Sequence, residues 1–257
     1  MFKRMIKLGV VIGAALMVAS CTNNVGRGKD GSVSTQNILQ KEKLYQSSND
    51  YRALVSLYRD YLKNKEDSTI RYKLAENYYL LGDSKSSSIY LAPLLQTSSG
   101  KLENEVYLLQ IRNYIQLKQY DEAIKLADVQ LKKNPKDGSI YNLRGIAYAQ
   151  IGNLSQAYND LMSARENFIS DNVAINNLSM LNILNGEYGN AVNLLLPQYL
   201  NGQREPRMIY NLVFALVKSG DLDYAKDIIT KERLNSSPDD LINALQKTER
   251  TAQTVKR

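Results

Sequence analysis

Four alanines, Ala123, Ala157, Ala191 and Ala225, stand 34 residues apart, and the glycines Gly152, Gly186 and Gly220 keep the same interval. A spacing that survives in two residue types at once constrains the chain more than its composition does. It predicts one supersecondary unit copied along the sequence, each copy too small to bury its own apolar face and so obliged to stack on the next. Alanine falls where two helices can approach closely, and glycine where the chain must reverse.

The clearest copy runs from Ser139 to Ala164, SIYNLRGIAYAQIGNLSQAYNDLMSA. Tyr141, Gly145 and Tyr148 keep helical spacing, Gly152-Asn153 makes a turn, and Ala157, Leu161 and Ala164 share one face of a second helix. This layout resembles the tetratricopeptide repeat (TPR), with Tyr141 where that family prefers Trp and Ile169 where it prefers Pro. The resemblance implies an all-α superhelix, a solenoid of about six helix-turn-helix repeats over 35–237. Their starts fall near Thr35, Ser68, Asn104, Gly138, Asn172 and Pro206. In the first repeat Asn49-Asp50 replaces the turn glycine, with Leu54 and Tyr58 as packing residues. The second has a serine-rich second helix, expected to be the weakest in the array, followed by Pro93 and a loop at Thr97–Gly100. Pro197 is expected to end or kink the second helix of repeat five. Ser237-Pro238-Asp239-Asp240 reads as a fresh helix start, so 238–257 is expected to be a capping helix with a polar tail.

The chain carries no His, which removes Ser-His-Asp and Cys-His catalysis and most zinc sites. No catalytic residue, metal site or cofactor is expected. Eighteen Tyr stand beside three Phe and no Trp, and most of the Tyr fall at repeat packing positions. The formal charge is +7. Removing Lys3, Arg4 and Lys7 with a leader leaves about +4 with both signs interspersed, a solvated surface rather than a nucleic-acid footprint.

Residues 1–20 have the build of a bacterial signal peptide: a basic start, an apolar run from Leu8 to Val18, and then Val18-Ala19-Ser20-Cys21. The ending resembles a lipobox, which implies that Cys21, the chain's single cysteine, is lipidated and becomes the mature N-terminus. An ordinary signal peptide with a chance cysteine, or an uncleaved anchor, is the alternative. Thr22 after the cysteine implies delivery to the periplasmic face of the outer membrane. Residues 21–34 are polar and glycine-rich, a tether that reaches roughly 45 Å when extended.

The TPR resemblance implies that the first helix of each pair lines a concave groove. Carried onto this chain, it offers Asn142, Ile146 and Ala149 from repeat four. Repeat five adds Asn176, Asn177, Met180 and Ile183, and repeat six adds Asn211, Phe214 and Val217. The asparagines would pair with a ligand backbone, and the apolar strip beside them would supply burial. A set of Lys and Arg to clamp a free carboxylate is not expected, since repeat six has only Arg207 and Lys218.

The stretch Asn176–Ile229, with Arg204-Glu205-Pro206-Arg207 and the ending Asp239–Leu245, is similar to the TadD family of TPR lipoproteins from tight-adherence (Flp) pilus systems. That resemblance implies a non-enzymatic assembly factor at the outer membrane, held by its N-terminal lipid, with protein partners such as the pilus secretin and no nucleic acid. A pilotin-like TPR lipoprotein of type IV pili and an adaptor for cell-wall hydrolases are the alternatives.

Overall fold

A computed structural model of the chain describes residues 35–97 and 99–248. The leader, Cys21, the tether and the end of the polar tail lie outside the described residues.

Fourteen helices make up the described chain. The first pair is α1 (Thr35–Ser47) and α2 (Tyr51–Leu62), and the second is α3 (Ser68–Leu80) and α4 (Ser84–Leu91). A single helical turn, α5 (Leu94–Thr97), precedes the third pair, α6 (Gly100–Gln116) and α7 (Tyr120–Lys133). Then come α8 (Gly138–Gln150) with α9 (Leu154–Glu166), α10 (Asp171–Asn185) with α11 (Tyr188–Leu200), and α12 (Pro206–Ser219) with α13 (Leu222–Lys231). Helix α14 (Pro238–Lys247) closes the array. Each helix packs on its neighbours in the chain, so the fold is the TPR solenoid that the period implies. No helix among the described residues is long and apolar enough to cross a membrane.

The period has a plain physical origin. At the turn inside every pair one residue takes the left-handed conformation: Asn49, Gly82, Lys118, Gly152, Gly186 and Gly220, with φ of 53°, 82°, 60°, 81°, 78° and 93°. Two residues on from the helix end, an N–H reaches back to a carbonyl of the last turn, as Asp221 does to Leu216 at 3.0 Å, which closes the helix and aims the chain backward. The next helix is then capped by the side chain of Asp50, Asp83, Asn153 or Asp221, each accepting a backbone N–H three residues ahead. Ala123, Ala157, Ala191 and Ala225 are all fully buried at the helix crossings. Gly145 brings α8 and α9 closest, for a Cβ there would lie 3.1 Å from Leu161 Cγ and 3.2 Å from the Ala157 carbonyl oxygen.

Two local expectations change. Repeat three starts at Gly100 rather than near Asn104, because α6 begins at the last residue of the expected loop. Pro197 neither ends nor breaks α11, which runs on to Leu200; the proline sits on the exposed outer side of the helix. In the serine-rich α4 two serines have partners in α6: Ser84 Oγ donates to Gln116 Oε1 at 2.6 Å, and Ser87 Oγ accepts from Asn113 Nδ2 at 2.9 Å. At the start of the array the buried Glu42 accepts from Tyr58 Oη at 2.8 Å and from Lys73 Nζ at 2.5 Å, tying α1, α2 and α3 together. Burial, with the Glu42 carboxylate beside it, pushes the Tyr58 phenol well above its ordinary range.

Candidate functional site: a groove along the first helices

Because α8, α10 and α12 are the first helices of consecutive pairs, residues one period apart form rows across them. One row is an apolar strip, Ile146, Met180 and Phe214. Met180 is 42% exposed, whereas Ile146 and Phe214 are half-buried. Tyr188 meets the Phe214 ring edge-on with centroids 6.2 Å apart and holds it in place.

The asparagines beside the strip bond to one another diagonally. Asn177 Nδ2 donates to Asn142 Oδ1 at 2.6 Å, and Asn211 Nδ2 donates to Asn176 Oδ1 at 3.1 Å. Each bond joins neighbouring repeats and uses only half of each amide. Among the described residues the Asn142 and Asn176 amino groups and the Asn177 and Asn211 carbonyl oxygens have no side-chain or backbone partner. The ladder is therefore positioned by its own bonds and still able to bond a ligand.

Two adjoining hollows of about 380 and 420 Å³ lie over these rows and share Ile146, Asn176, Asn177 and Arg207. The first extends past Asn142 to Val173 and Gln203, and the second past Met180 to Tyr210 and Asn211. Six of the nine expected groove residues line these hollows: Asn142, Ile146, Asn176, Asn177, Met180 and Asn211. Phe214, at the end of the apolar strip, lines neither. Ile183 and Val217 also line neither. They are 9% and 3% exposed and belong to the packing between helix pairs, Ile183 against Ala191 and Ala215, Val217 among the α12–α14 core. Three residues past Met180 or Phe214 a helix has turned by about 300°, enough to carry a side chain from the groove into the neighbouring helix. Tyr210, Arg207 and Val173 were not among the expected lining residues. Tyr210 is one period after Asn176, so its row was there to be followed.

Lys218 is not available to a ligand carboxylate, since its Nζ donates to the Gln246 and Thr248 carbonyl oxygens at 2.9 and 2.6 Å. Among the described residues that leaves Arg207 as the one cation lining either hollow. Behind the groove Arg144 fixes α8: its guanidinium grips Asp160 through two bonds of 2.7 Å and Asp128 through one of 2.6 Å. Toward the start of the array the strip changes character. Its counterparts in α3 and α6 are Glu76 and Arg112, where burial pushes the Glu76 carboxyl up and the nearby Arg112 partly offsets that.

No protein-family profile and no curated protein matches the chain. Solved structures do. A thermophilic TPR protein of Thermus thermophilus superposes with a TM-score of 0.60 at 19% identity, over 72% of this chain and 100% of that one. A TPR protein of Parabacteroides merdae gives 0.61 at 16% identity, over 82% and 83%. The Cut9–Hcn1 hetero-tetramer of the APC/C gives 0.56 at 15% identity, over 78% of this chain and 38% of that one. At these identities the likeness establishes the fold, which is that of the TPR proteins.

Proposed function

We propose that this TPR solenoid is a protein-binding scaffold that grips a peptide segment of its partner in the groove over α8, α10 and α12. One observation carries the reading: two pairs of asparagines hold each other in register and keep four hydrogen-bonding groups free beside an apolar strip. An extended peptide in such a groove can satisfy its backbone on the amides and bury side chains against Ile146 and Met180. Capture of a partner by the full chain tests this. The double substitution Asn176→Ala and Met180→Glu abolishes capture with helicity unchanged; capture that survives it refutes the groove.

The finer reading is a lipid-anchored assembly factor of a tight-adherence pilus, on the periplasmic face of the outer membrane, with the secretin among its partners. The lipobox-like ending at Cys21 and the likeness of Asn176–Ile229 to the TadD lipoproteins support it. Cys21→Ala then releases the chain from the membrane fraction, and unchanged partitioning rejects the anchor. In a strain lacking the protein the secretin leaves the outer-membrane fraction. Recovery of amidases or endopeptidases instead of a secretin with the purified protein favours the hydrolase-adaptor reading.

A further inference from the structure

Helix pairs joined by tight turns are antiparallel, so the array has two rims. The turns inside the pairs form one rim. The loops between pairs form the other, from which every first helix starts, including α1 at Thr35. The chain that runs back to Cys21 therefore leaves from the rim of inter-pair loops.

That rim carries the most exposed aromatic residue of the described chain. Phe168, in the loop between α9 and α10, is 95% exposed, and its φ of 65° is left-handed. One period later the same place holds Gly202, with φ of 88°, which adopts this conformation without strain. Phenylalanine here is thus both strained and bare to water. Leu200 and Val173, in the adjoining ends of α11 and α10, are 66% and 41% exposed. Neighbouring loops touch along this rim: Asn172 Nδ2 lies 3.5 Å from Gln203 Oε1, and the Asn167 carbonyl oxygen fills the space a Cβ on Gly138 would take. Cations outnumber acids in these loops: Lys132, Lys133, Lys136, Arg165, Arg204 and Arg207 stand against Asp137, Glu166, Asp171 and Glu205. Arg165, Lys133 and Arg204 are paired with Asp171, Glu103 and Glu232. Among the described residues, exposed Lys132, Lys136 and Arg207 have no ion-pair partner.

We infer that the inter-pair rim of repeats four and five docks on an anionic lipid surface, with Phe168 as the inserted side chain and Lys132, Lys136 and Arg207 toward the headgroups. A bilayer interface suits an aromatic ring flanked by cations. The tether geometry agrees, because the rim that binds is the rim from which the anchored end departs. The inference rests on the lipid anchor proposed above. It adds an orientation: the inter-pair loops face the membrane and the turns inside the pairs face away.

The chain has no Trp, so a single substitution makes a clean reporter. The lipidated full chain carrying Phe168→Trp is bound to phosphatidylcholine–phosphatidylglycerol vesicles whose acyl chains are brominated. Its emission is compared with that of Leu81→Trp, an exposed residue on the opposite rim. Bromine quenches the residue-168 reporter about twofold or more and leaves the residue-81 reporter unchanged, as interfacial burial of about 5–10 Å requires. If the chain floats with the vesicles but neither reporter is quenched, or both equally, the rim is wrong and the anchor stands. A chain that does not float with vesicles overturns both.

Discussion

Where α4 meets α6, hydroxyls and amides hold the helices together: Ser84 on Gln116, Ser87 on Asn113. Where α11 meets α12, the contact is Leu195 and Tyr199 against Met208, Leu212 and Leu216, all buried in one cluster that continues through α13 to Ile242 of α14. On the two helices of the first seam, Ser88 Oγ, Gln110 Oε1 and Asn113 Oδ1 are buried with no partner among the described residues. Both seams join consecutive helix pairs. A solenoid permits this because each interface answers only to its neighbours, so one junction can be directional and weak while another is apolar and strong. The groove follows the same division, with charged Glu76 and Arg112 at one end and Ile146, Met180 and Phe214 at the other. The candidate site lies on the apolar, better-buried half, where a rigid wall keeps the asparagines in place.

The contrast can be broken by experiment. Leu212→Ala, in the centre of the apolar cluster, is expected to cost about 2–5 kcal/mol in denaturant unfolding, and amide exchange in α12 should speed up accordingly. Ser87→Ala strands the Asn113 amide and costs about 1–2 kcal/mol. Adding Asn113→Leu to it recovers most of that loss, since this contact no longer buries an unpaired amide. If the double variant is worse than the single, the serine seam is stronger than argued. Lys118→Gly relieves a left-handed lysine in the turn of repeat three and should raise stability by up to about 1 kcal/mol, read as a higher Tm. The smallest effect concerns Glu76. Its carboxyl is raised in the folded chain by burial, so the native state holds the proton to higher pH than the unfolded state does. Stability therefore falls as pH rises above the ordinary carboxylate value of 4.5. Glu76→Gln should raise the Tm at pH 7, and the gain should vanish in acid, where both side chains are neutral.

The helix pairs were legible because the alanine, the turn and the cap repeat in phase. Even Lys118 could be placed in a left-handed turn, one period before Gly152. What the sequence concealed depended on neighbours. Ile183 and Val217 share the apolar character of Met180 and Phe214, and only the position of the adjoining helices decides which of them face the groove. The partners of Ser84 and Ser87, Gln116 and Asn113, lie in another helix, out of reach of a reading of α4 alone. The backbone of Phe168 matches that of Gly202 one period later, a likeness that the two residue types do not advertise.

The array is finished differently at its two ends. Lys226 pairs with Asp239 at the start of α14 and Lys218 holds the carbonyls at its close, so the last helix is clasped at both extremities. Among the described residues, helix α1 leaves Leu39 and Leu44 in water and has a neighbour on one side only. Unzipping under heat or mechanical pull should accordingly begin at α1 and travel inward. A load applied to the chain ahead of α1 would then peel away the early repeats while the helices α8, α10 and α12 stay folded.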